Sequence, residues 1–353
     1  MKSVTRNLRI DNAKGILIIL VVIGHFLLPD TSTRFTTNTL YLIYTFHMPC
    51  FIFLSGYLAK GVYRGKGTFR WDRLFKLLWL YFLFKIGVHI TEGLLEGSIG
   101  LSINFFHESG APWYLLALAL WYLFIPFFCP PNPRPSRKWF TMALILFIGL
   151  AGGYAGKLND FLSLDRVLAF APFFYAGCYF SERSMEQLGN KKLRTILVAA
   201  ALLIAAVIFF GTYDFFGKYT LAVYGAMYDR FAPELYPFCW LIRLAVYLLA
   251  AAMSFGLLAA MPNRRLPLLT TLGKRTLSVY VLHRLIRDLV QYFGFYSVYN
   301  VHSKLQVMAL MAGCVVLAAL LASKPVYWAF EWLAALPFSL VSRLSHRGKR
   351  PQP

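Results

Sequence analysis

The feature that most constrains this sequence is its repetition of apolar stretches long enough to cross a lipid bilayer. Runs of about 16–25 mostly apolar residues recur along the chain, and a membrane helix needs roughly 20. Hydrophobic residues make up 58% of the 353 residues and charged residues only 14%, whereas a soluble domain carries about 25% charged residues. The sequence therefore predicts an all-α, polytopic integral membrane bundle.

Loops rich in proline, glycine and charge divide the apolar stretches into separate helices. Ten membrane spans are predicted, at 14–29, 40–59, 74–91, 113–129, 139–156, 167–181, 195–212, 236–261, 276–293 and 305–323. The segment after the tenth span carries Trp and Phe on an apolar stretch and ends in a basic tail, which is typical of a helix at the lipid interface. We expect residues 1–323 to form one membrane domain, and residues 324–353 an interfacial segment with a basic cytoplasmic tail.

The distribution of basic residues predicts the orientation of the bundle. The net charge is +21, but the Lys and Arg residues lie mainly in short loops between apolar runs. With a cytoplasmic N-terminus, the cytoplasmic segments hold 26 basic residues and the outer loops hold six, in agreement with the positive-inside rule. Both termini are then cytoplasmic, and the membrane is a plasma or inner membrane. The same distribution argues against a nucleic-acid surface, which concentrates its charge on one soluble face.

A lysine and a histidine in the first span share one helix face. Lys14 and His25 are eleven residues apart, which is about 1100° of rotation, or three turns plus roughly 20°, and a rise of about 16 Å. We expect Lys14 at the cytoplasmic surface and His25 near mid-membrane above it. Because polar groups in a bilayer are costly and tend to mark pathways or sites, a functional role for His25 is favoured over a hydrogen bond to a neighbouring helix.

Other spans also carry polar side chains. His47 in the second span is expected at a depth similar to that of His25, and functional and structural roles are equally open for it. The ninth span contains His283, Arg284 and Asp288, and the last two are four residues apart, so they can pair. A membrane protein with this many polar groups in its spans is expected to enclose a polar cavity.

Four further residues have both a functional and a structural interpretation. Arg70 and Arg73 lie three residues apart at the start of a helix and could bind phosphates, although positive-inside charge explains most of that loop. Arg243, near the outer end of the eighth span, could bind a substrate or pair within the bundle. Trp113 could bind a substrate or belong to an interfacial aromatic belt. The five cysteines have no CxxC pairing, and no metal site is predicted.

Together these stretches resemble the acyltransferase-3 family of integral membrane O-acyltransferases, within it the fucose 4-O-acetylase-like branch. "RIDNAKGILIILVVIGH" resembles the family's basic residue followed by ten residues and a histidine, here Lys14 and His25. "FHMPCFIFLSGYL" resembles its aromatic-Ser-Gly motif, and "FRWDRLFKLL" its Arg-x-x-Arg motif, here Arg70 and Arg73. "PWYLLAL" and "LGKRTLSVYVLH" resemble later landmarks. The basic position holds Lys where the family pattern has Arg.

The resemblance implies transfer of an acyl group, usually acetyl, from cytosolic acyl-CoA to a hydroxyl of a cell-surface or lipid-linked glycan. His25 would be the catalytic base or the carrier of the acyl group, and Lys14, Arg70 and Arg73 would hold the CoA donor. Asp288 is the one carboxylate that we place deep in a span, which makes it the candidate to orient His25, with His47 as a second catalytic candidate. We assign Arg243, His283 and Trp113 to acceptor binding.

The main rival interpretation is a membrane transporter or flippase for an anionic or glycan substrate, because buried charges also suit a transport pathway. A coupled transporter predicts carboxylates within the spans, whereas here the membrane layer is poor in acids and rich in Arg, Lys and His. That composition suits an anionic ligand such as acyl-CoA. A structural scaffold would leave these polar groups unexplained.

Overall fold

We describe a computed structural model of the chain, covering residues 6–29, 31–64, 68–98, 100, 102–108, 110–158, 160–211, 225–231, 233–299 and 303–347. Within these ranges the fold is helical, apart from a hairpin of two-residue strands, β1 (Tyr63–Arg64) and β2 (Thr68–Phe69). The helices are α1 (Leu8–Leu27), α2 (Arg34–Ala59), α3 (Trp71–Leu95), α4 (Trp113–Phe128), α5 (Pro135–Ala151), α6 (Leu164–Tyr179), α7 (Glu182–Gln187), α8 (Lys191–Gly211), α9 (Cys239–Ala260), α10 (Pro267–Lys274), α11 (Thr276–Tyr292), α12 (Phe295–Val298), α13 (Lys304–Leu321) and α14 (Lys324–Arg347).

Each of the ten predicted spans coincides with one of these helices, and the predicted all-α membrane bundle is confirmed. In the described part of the chain, six segments are long and apolar enough to cross a membrane: Leu8–Leu27, Arg34–Val62, Trp71–Leu95, Lys191–Gly211, Pro233–Ala260 and Lys304–Leu321. The other four helices, α4, α5, α6 and α11, have only 16 or 17 residues, which is short for a bilayer. The number of membrane spans therefore stays a prediction.

Helices α1 and α2 form the centre of the bundle. Most of each is buried inside the protein, whereas α8 and α13 are largely exposed and therefore suited to face lipid. Helix α1 packs against α2, α10, α11 and α13, and α2 packs against α6 and α9. Glycines allow the closest of these contacts, because a Cβ on Gly56 would lie 1.8 Å from the Phe174 carbonyl oxygen and one on Gly177 would lie 2.0 Å from that of Phe53. Even alanine is therefore excluded at either position.

Helix α1 begins six residues before the predicted span, and this moves His25 relative to our expectation. The polar first turns are buried because neighbouring groups bind them: Asn12 donates to the carbonyls of Pro262 and Arg264 and accepts from Thr270. The helix ends at Leu27, so His25 lies in its last turn instead of at mid-span. We call the end of the bundle where α1 begins the basic end, and the end where it finishes the distal end.

A latch between two distal loops holds the start of α6. Leu162 donates its N–H to the Phe106 carbonyl at 2.7 Å, and Glu108 donates its N–H to the Asp160 carbonyl at 2.8 Å. Ser163 donates its hydroxyl to the carbonyl of Glu108 at 2.7 Å. Below the latch, the Glu108 carboxylate lies 3.0 Å from the ammonium of Lys85 on α3. The first turn of α6 is thereby fixed against the loop that leads into α4.

Candidate functional site

A cavity of about 380 Å³ lies in the distal half of the bundle and contains both histidines of the first two spans. Helices α1, α2, α4, α6 and α11 and the loop at 225–231 contribute to its walls. The polar or aromatic side chains that line it are His25, Tyr44, His47, Trp113, Asp165, Arg166, Arg230, Tyr280, Arg284 and Arg287. The expected polar cavity is therefore present. In the connection between α8 and α9, residues 212–224 and 232 lie outside the described residues.

His25 forms a hydrogen-bonded pair with His283, and the pair fixes which nitrogen of each ring carries a proton. Nδ1 of His25 lies 2.9 Å from Nε2 of His283, and Nδ1 of His283 lies 2.8 Å from the carbonyl oxygen of Val279. A carbonyl only accepts, so a neutral His283 carries its proton on Nδ1 and accepts at Nε2. His25 must then donate from Nδ1. Its Nε2 is left unprotonated and free to accept a proton.

The rings of this pair are stacked, with centroids 5.0 Å apart and planes inclined by 22°. We assigned His283 to acceptor binding, and in the structure its side chain is fully buried. The structure thus brings it against His25 and away from the cavity wall. The two histidines are 258 residues apart in the sequence, so no local sequence motif predicts their contact.

His47 has the same protonation pattern but a different environment. Its Nδ1 lies 2.8 Å from the carbonyl oxygen of Ile43, one turn earlier on α2, so its neutral form also leaves Nε2 unprotonated. The ring meets Tyr44 edge to face, with centroids 4.8 Å apart. The cavity therefore contains two imidazoles that can accept a proton at Nε2. Of these two, His25 is hydrogen-bonded to another histidine, whereas His47 is hydrogen-bonded to a backbone carbonyl.

The structure places Asp288 among the arginines of α11 and not against His25. Its Oδ1 pairs with Arg284, as the four-residue spacing predicted, and lies 2.5 Å from a guanidinium nitrogen of Arg287. Its Oδ2 accepts from the Thr91 hydroxyl at 3.0 Å. Arg284 also pairs with Glu92 at 2.9 Å. This network holds two arginines at the cavity wall, and the histidine pair occupies the place where we expected a carboxylate.

Two cavity residues, Asp165 and Arg166, were not singled out in the sequence. They form the first turn of α6, where we read Arg166 only as one of six basic residues of the outer loops. Asp165 is 4% exposed, and its Oδ1 and Nη1 of Arg166 are buried without a hydrogen-bond partner among the described residues. The Arg166 guanidinium lies 5.7 Å from the ring of Trp113. The sequence did contain a signal for this site: an adjacent Asp and Arg at the start of a helix, in outer loops that contain few charged residues.

Arg243 lies outside the cavity lining and binds the bundle itself. Its guanidinium donates to the carbonyl of Gly149 at 3.1 Å and to that of Ala226, and it lies 4.4 Å from the ring of Tyr228. It is 1% exposed. Of the two interpretations left open for this residue, the geometry favours pairing within the bundle.

On its basic side, the cavity is closed by hydroxyl and aromatic groups. Phe51 and Ser55 follow His47 along one face of α2 toward the basic end, since they lie four and eight residues further on. Ser55 hydrogen-bonds to the hydroxyl of Tyr114 at 2.6 Å, and the Phe51 ring meets that of Tyr114 edge to face at 5.8 Å. We call these side chains the hydroxyl–aromatic layer, and they lie on the side of His47 that faces the basic end.

The three predicted donor-binding residues lie at the basic end but in different settings. Lys14 has no ion pair among the described residues, and Arg73 approaches Tyr122 and the Gly61 backbone without a carboxylate partner there. Arg70, at the cap of α3, pairs with Asp72 at 2.7 Å. The structure thus leaves Lys14 and Arg73 available to an anion and partly neutralises Arg70.

Comparison with known proteins identifies the family. A family model described as an acyltransferase domain matches residues 7–328, nearly the whole chain. Nodulation protein NolL of Sinorhizobium fredii is 32% identical over 202 residues, which cover 54% of this chain and 52% of the relative. NolL of Mesorhizobium japonicum is 47% identical over 60 residues, 16% of each chain. The chain thus spans about half the length of the first relative.

No solved structure matches the chain, so the family rests on sequence. The family model covers both the segment with His25 and the segment with His283, and the fold brings these two histidines into contact. The chain belongs to the acyltransferase-3 family of integral membrane proteins.

Proposed function

We propose that this protein is an inner-membrane O-acyltransferase that moves an acyl group, which we take to be acetyl, from cytosolic acyl-CoA to a hydroxyl of a cell-surface or lipid-linked glycan. The observation that carries the proposal is the His25–His283 pair in a polar cavity of a bundle that belongs to an acyltransferase family. The pair leaves an unprotonated Nε2 on His25, which is the group that acyl transfer to a hydroxyl requires.

The chemistry at His25 can take two forms, which both use Nε2. As a general base, Nε2 takes the proton of the acceptor hydroxyl while its oxygen attacks the thioester carbonyl. The new C–O bond replaces the C–S bond, and the proton passes to the departing thiolate. As a nucleophile, Nε2 bonds to the thioester carbonyl carbon while the C–S bond breaks and the CoA thiolate leaves. In a second step the acceptor oxygen attacks that carbon, the C–N bond breaks, and the hydroxyl proton passes to the CoA thiolate. In both forms the imidazolium keeps its Nδ1–H hydrogen bond to His283.

The two substrates would reach His25 from opposite ends. The phosphates of acyl-CoA would bind at the basic end, near Lys14 and Arg73, about 16 Å along α1 from His25. The extended pantetheine arm is of this order of length, and it would pass the layer formed by Ser55 and Tyr114. The acceptor hydroxyl would enter the distal cavity. This arrangement is an acyl relay through the membrane, in which acyl-CoA is never flipped.

The test is acyl transfer by the purified full-length protein in lipid nanodiscs. Radiolabelled acetyl-CoA is supplied with an extract of lipid-linked and polymeric glycans from the native host, and label in the glycan is measured. We expect transfer by the wild type and a fall of about 10²–10⁴-fold in His25→Ala, the usual range for loss of an acid–base group. His47→Ala is the matched control for losing a cavity histidine. Transfer by His25→Ala at the wild-type rate would overturn the assignment, and glycan transport without transfer would favour a flippase.

A further inference from the structure

The cavity contains a second cluster, away from the histidine pair, whose polar atoms lack partners. Oδ1 of Asp165 and Nη1 of Arg166 are both buried and without a hydrogen bond among the described residues. Both residues line the cavity that contains His25. Buried polar groups are nearly always hydrogen-bonded, so an acceptor and a donor left open at one cavity wall indicate a ligand that supplies both complements.

The backbone that presents these two residues is held in a costly conformation. Asp160, Leu162 and Ser163 have φ values of 55°, 49° and 52°, in the left-handed region that non-glycine residues rarely adopt. Hydrogen bonds from the latch hold this segment, including those between Leu162 and Phe106 and between Ser163 and Glu108. Backbone strain of this kind clusters at ligand sites. Here it sets the first turn of α6 against the cavity.

An aromatic wall stands beside the open pair. Trp113 lines the cavity and stacks on Phe170, with centroids 5.5 Å apart and planes inclined by 28°. The Arg166 guanidinium lies 5.7 Å from the Trp113 ring. An aromatic surface next to a carboxylate and a guanidinium suits a ligand with an apolar C–H face and a hydroxylated edge, which describes a pyranose ring.

The charges of the cavity indicate whether that ring is charged. The four arginines that line it all have a carboxylate within 4 Å. Arg166 lies 3.5 Å from Asp160 and 3.8 Å from Asp165, and Arg230 lies 3.8 Å from Asp160. Arg284 lies 2.9 Å from Glu92, and Arg287 lies 2.5 Å from Asp288. Four arginines thus face four carboxylates. Within the described part of the chain, the charges of this set therefore balance, and no positive charge is in excess to bind a phosphate or a carboxylate of the ligand.

We propose that Asp165, Arg166 and Trp113 form the acceptor subsite and that it selects an uncharged sugar ring with two adjacent free hydroxyls. One hydroxyl donates to Oδ1 of Asp165, and its neighbour accepts from Nη1 of Arg166. Nε of Arg166 lies 3.8 Å from Oδ2 of Asp165, so the guanidinium and the carboxylate are neighbours, and adjacent hydroxyls of one ring can bind one group each. The ring's C–H face rests on Trp113. The subsite rests on the proposed acyl transfer for its role, but its ligand can be tested without catalysis.

The experiment measures binding of methyl glycosides to the detergent-purified full-length protein by saturation-transfer NMR titration. The panel holds neutral hexosides and 6-deoxyhexosides, their monodeoxy analogues, a glucuronide and a hexose 6-phosphate. We expect at least one neutral glycoside to bind, and the monodeoxy analogue lacking one of its paired hydroxyls to bind about tenfold more weakly or worse. Stronger binding of the glucuronide or the phosphate, or binding of no neutral glycoside, would overturn the proposal.

Variants assign the binding to the subsite. Asp165→Asn and Arg166→Gln should each weaken binding of the neutral glycoside about tenfold or more. Asp229→Asn is the matched control, because Asp229 is an exposed residue of the same distal end outside the cavity lining. Arg166→Lys keeps the positive charge but lacks the guanidinium Nη1 and should also weaken binding. It replaces Arg166→Gln as the test of this residue if Arg166→Gln misfolds. Binding by Asp165→Asn and both Arg166 variants equal to that of Asp229→Asn would refute the subsite. The binding titration contains no acetyl-CoA, so its result does not depend on catalysis. Glycoside binding in this titration, together with no transfer in the nanodisc assay, would refute the proposed function and leave the subsite in place.

Discussion

The distal cavity and the basic end differ in how several of their cations are paired. At the distal cavity, Arg166, Arg230, Arg284 and Arg287 each lie within 4 Å of a carboxylate. At the basic end, several cations have no carboxylate partner among the described residues. Arg9 donates to the Leu258 carbonyl at 3.1 Å, Arg275 to that of Ala322 at 2.5 Å and Lys60 to that of Phe180. Lys14 and Arg73 have no ion pair in the same part of the chain.

This difference separates two kinds of binding site. Carbonyls and aromatic rings orient a cation without cancelling its charge, so the basic end keeps a positive field that attracts an anionic ligand. Ion pairs cancel the charge and leave hydrogen-bonding geometry, which suits a neutral ligand with hydroxyl groups. Basic loops alone follow from the positive-inside rule, but that rule does not explain why the distal arginines are neutralised. The comparison thus supports the proposal that the anionic donor binds at the basic end and the sugar acceptor at the distal cavity.

The largest effect is expected when the substrates are offered to the wrong ends. The protein is reconstituted in sealed vesicles, and the fraction in each orientation is measured by protease access to the C-terminal tail. Membrane-impermeant acetyl-CoA is supplied on one side and glycan acceptor on the other. Because Lys14 and Arg73, which have no ion pair among the described residues, lie at the basic end, we expect transfer only when acetyl-CoA faces that end. Transfer that requires both substrates on the basic side would refute the relay and leave a cytosol-facing transferase.

The second largest effect is expected at His283. Without it, the His25 ring loses the acceptor that keeps its proton on Nδ1, so His283→Ala should lower transfer by about 10²-fold or more, within the range of acid–base contributions. His283→Gln can place its amide oxygen near His25 Nδ1 and should restore part of the rate. A purely structural role predicts that both variants lose rate in proportion to their loss of thermal stability. Activity–pH profiles and melting temperatures of the two variants separate these outcomes.

How much of this could be predicted from sequence depends on the distance over which each feature is encoded. The helices followed from apolar runs, because length and hydropathy are local properties that lipid selects directly. The start of α1 was predicted too late because Asn12 is polar, and its partners Pro262, Arg264 and Thr270 lie about 250 residues away in the chain. For the same reason, His25 lies closer to the end of α1 than we expected.

The site was predicted only in part, because some of its contacts are local in sequence and others join distant segments. Lys14 and His25 share a helix, so their spacing alone places them on one face. The contact between His25 and His283 joins two helices that are distant in sequence. Asp288 was predicted as the partner of His25 because it was the one carboxylate that we placed deep in a span. Asp165 and Arg166 were missed because a charged pair at the end of a span looks like a loop. Only the latch and the left-handed segment before α6 turn that pair toward the cavity.

A moderate effect is expected from neutralising the basic end. Lys14→Gln and Arg73→Gln should each raise the KM for acetyl-CoA roughly tenfold, because each removes a cation that would meet a phosphate. The KM for the acceptor should change little. Arg70→Gln should have a smaller effect, since Arg70 already pairs with Asp72, and Lys76→Gln is the control because Lys76 pairs with Glu331 at 2.9 Å. Added salt should weaken donor binding in the wild type. If the Lys14→Gln, Arg73→Gln double variant bound CoA as tightly as the parent, the donor assignment would be wrong.

The smallest effect concerns Glu108, the buried acid of the distal latch. Burial raises the pKa of the Glu108 carboxyl above its ordinary value, although the ammonium of Lys85 and the backbone N–H of Gly110 act in the opposite direction. A carboxyl with a raised pKa in the folded state contributes stability that is complete below its unfolded pKa, about 4.3, and is lost as the pH rises through the folded value. The advantage of the wild type over Glu108→Gln in melting temperature should therefore shrink as the pH rises from 4. Thermal unfolding of both proteins in detergent between pH 4 and 8 measures this difference. If the advantage instead grows with pH, the ion pair with Lys85 outweighs burial, and the distal charges stabilise the fold as pairs.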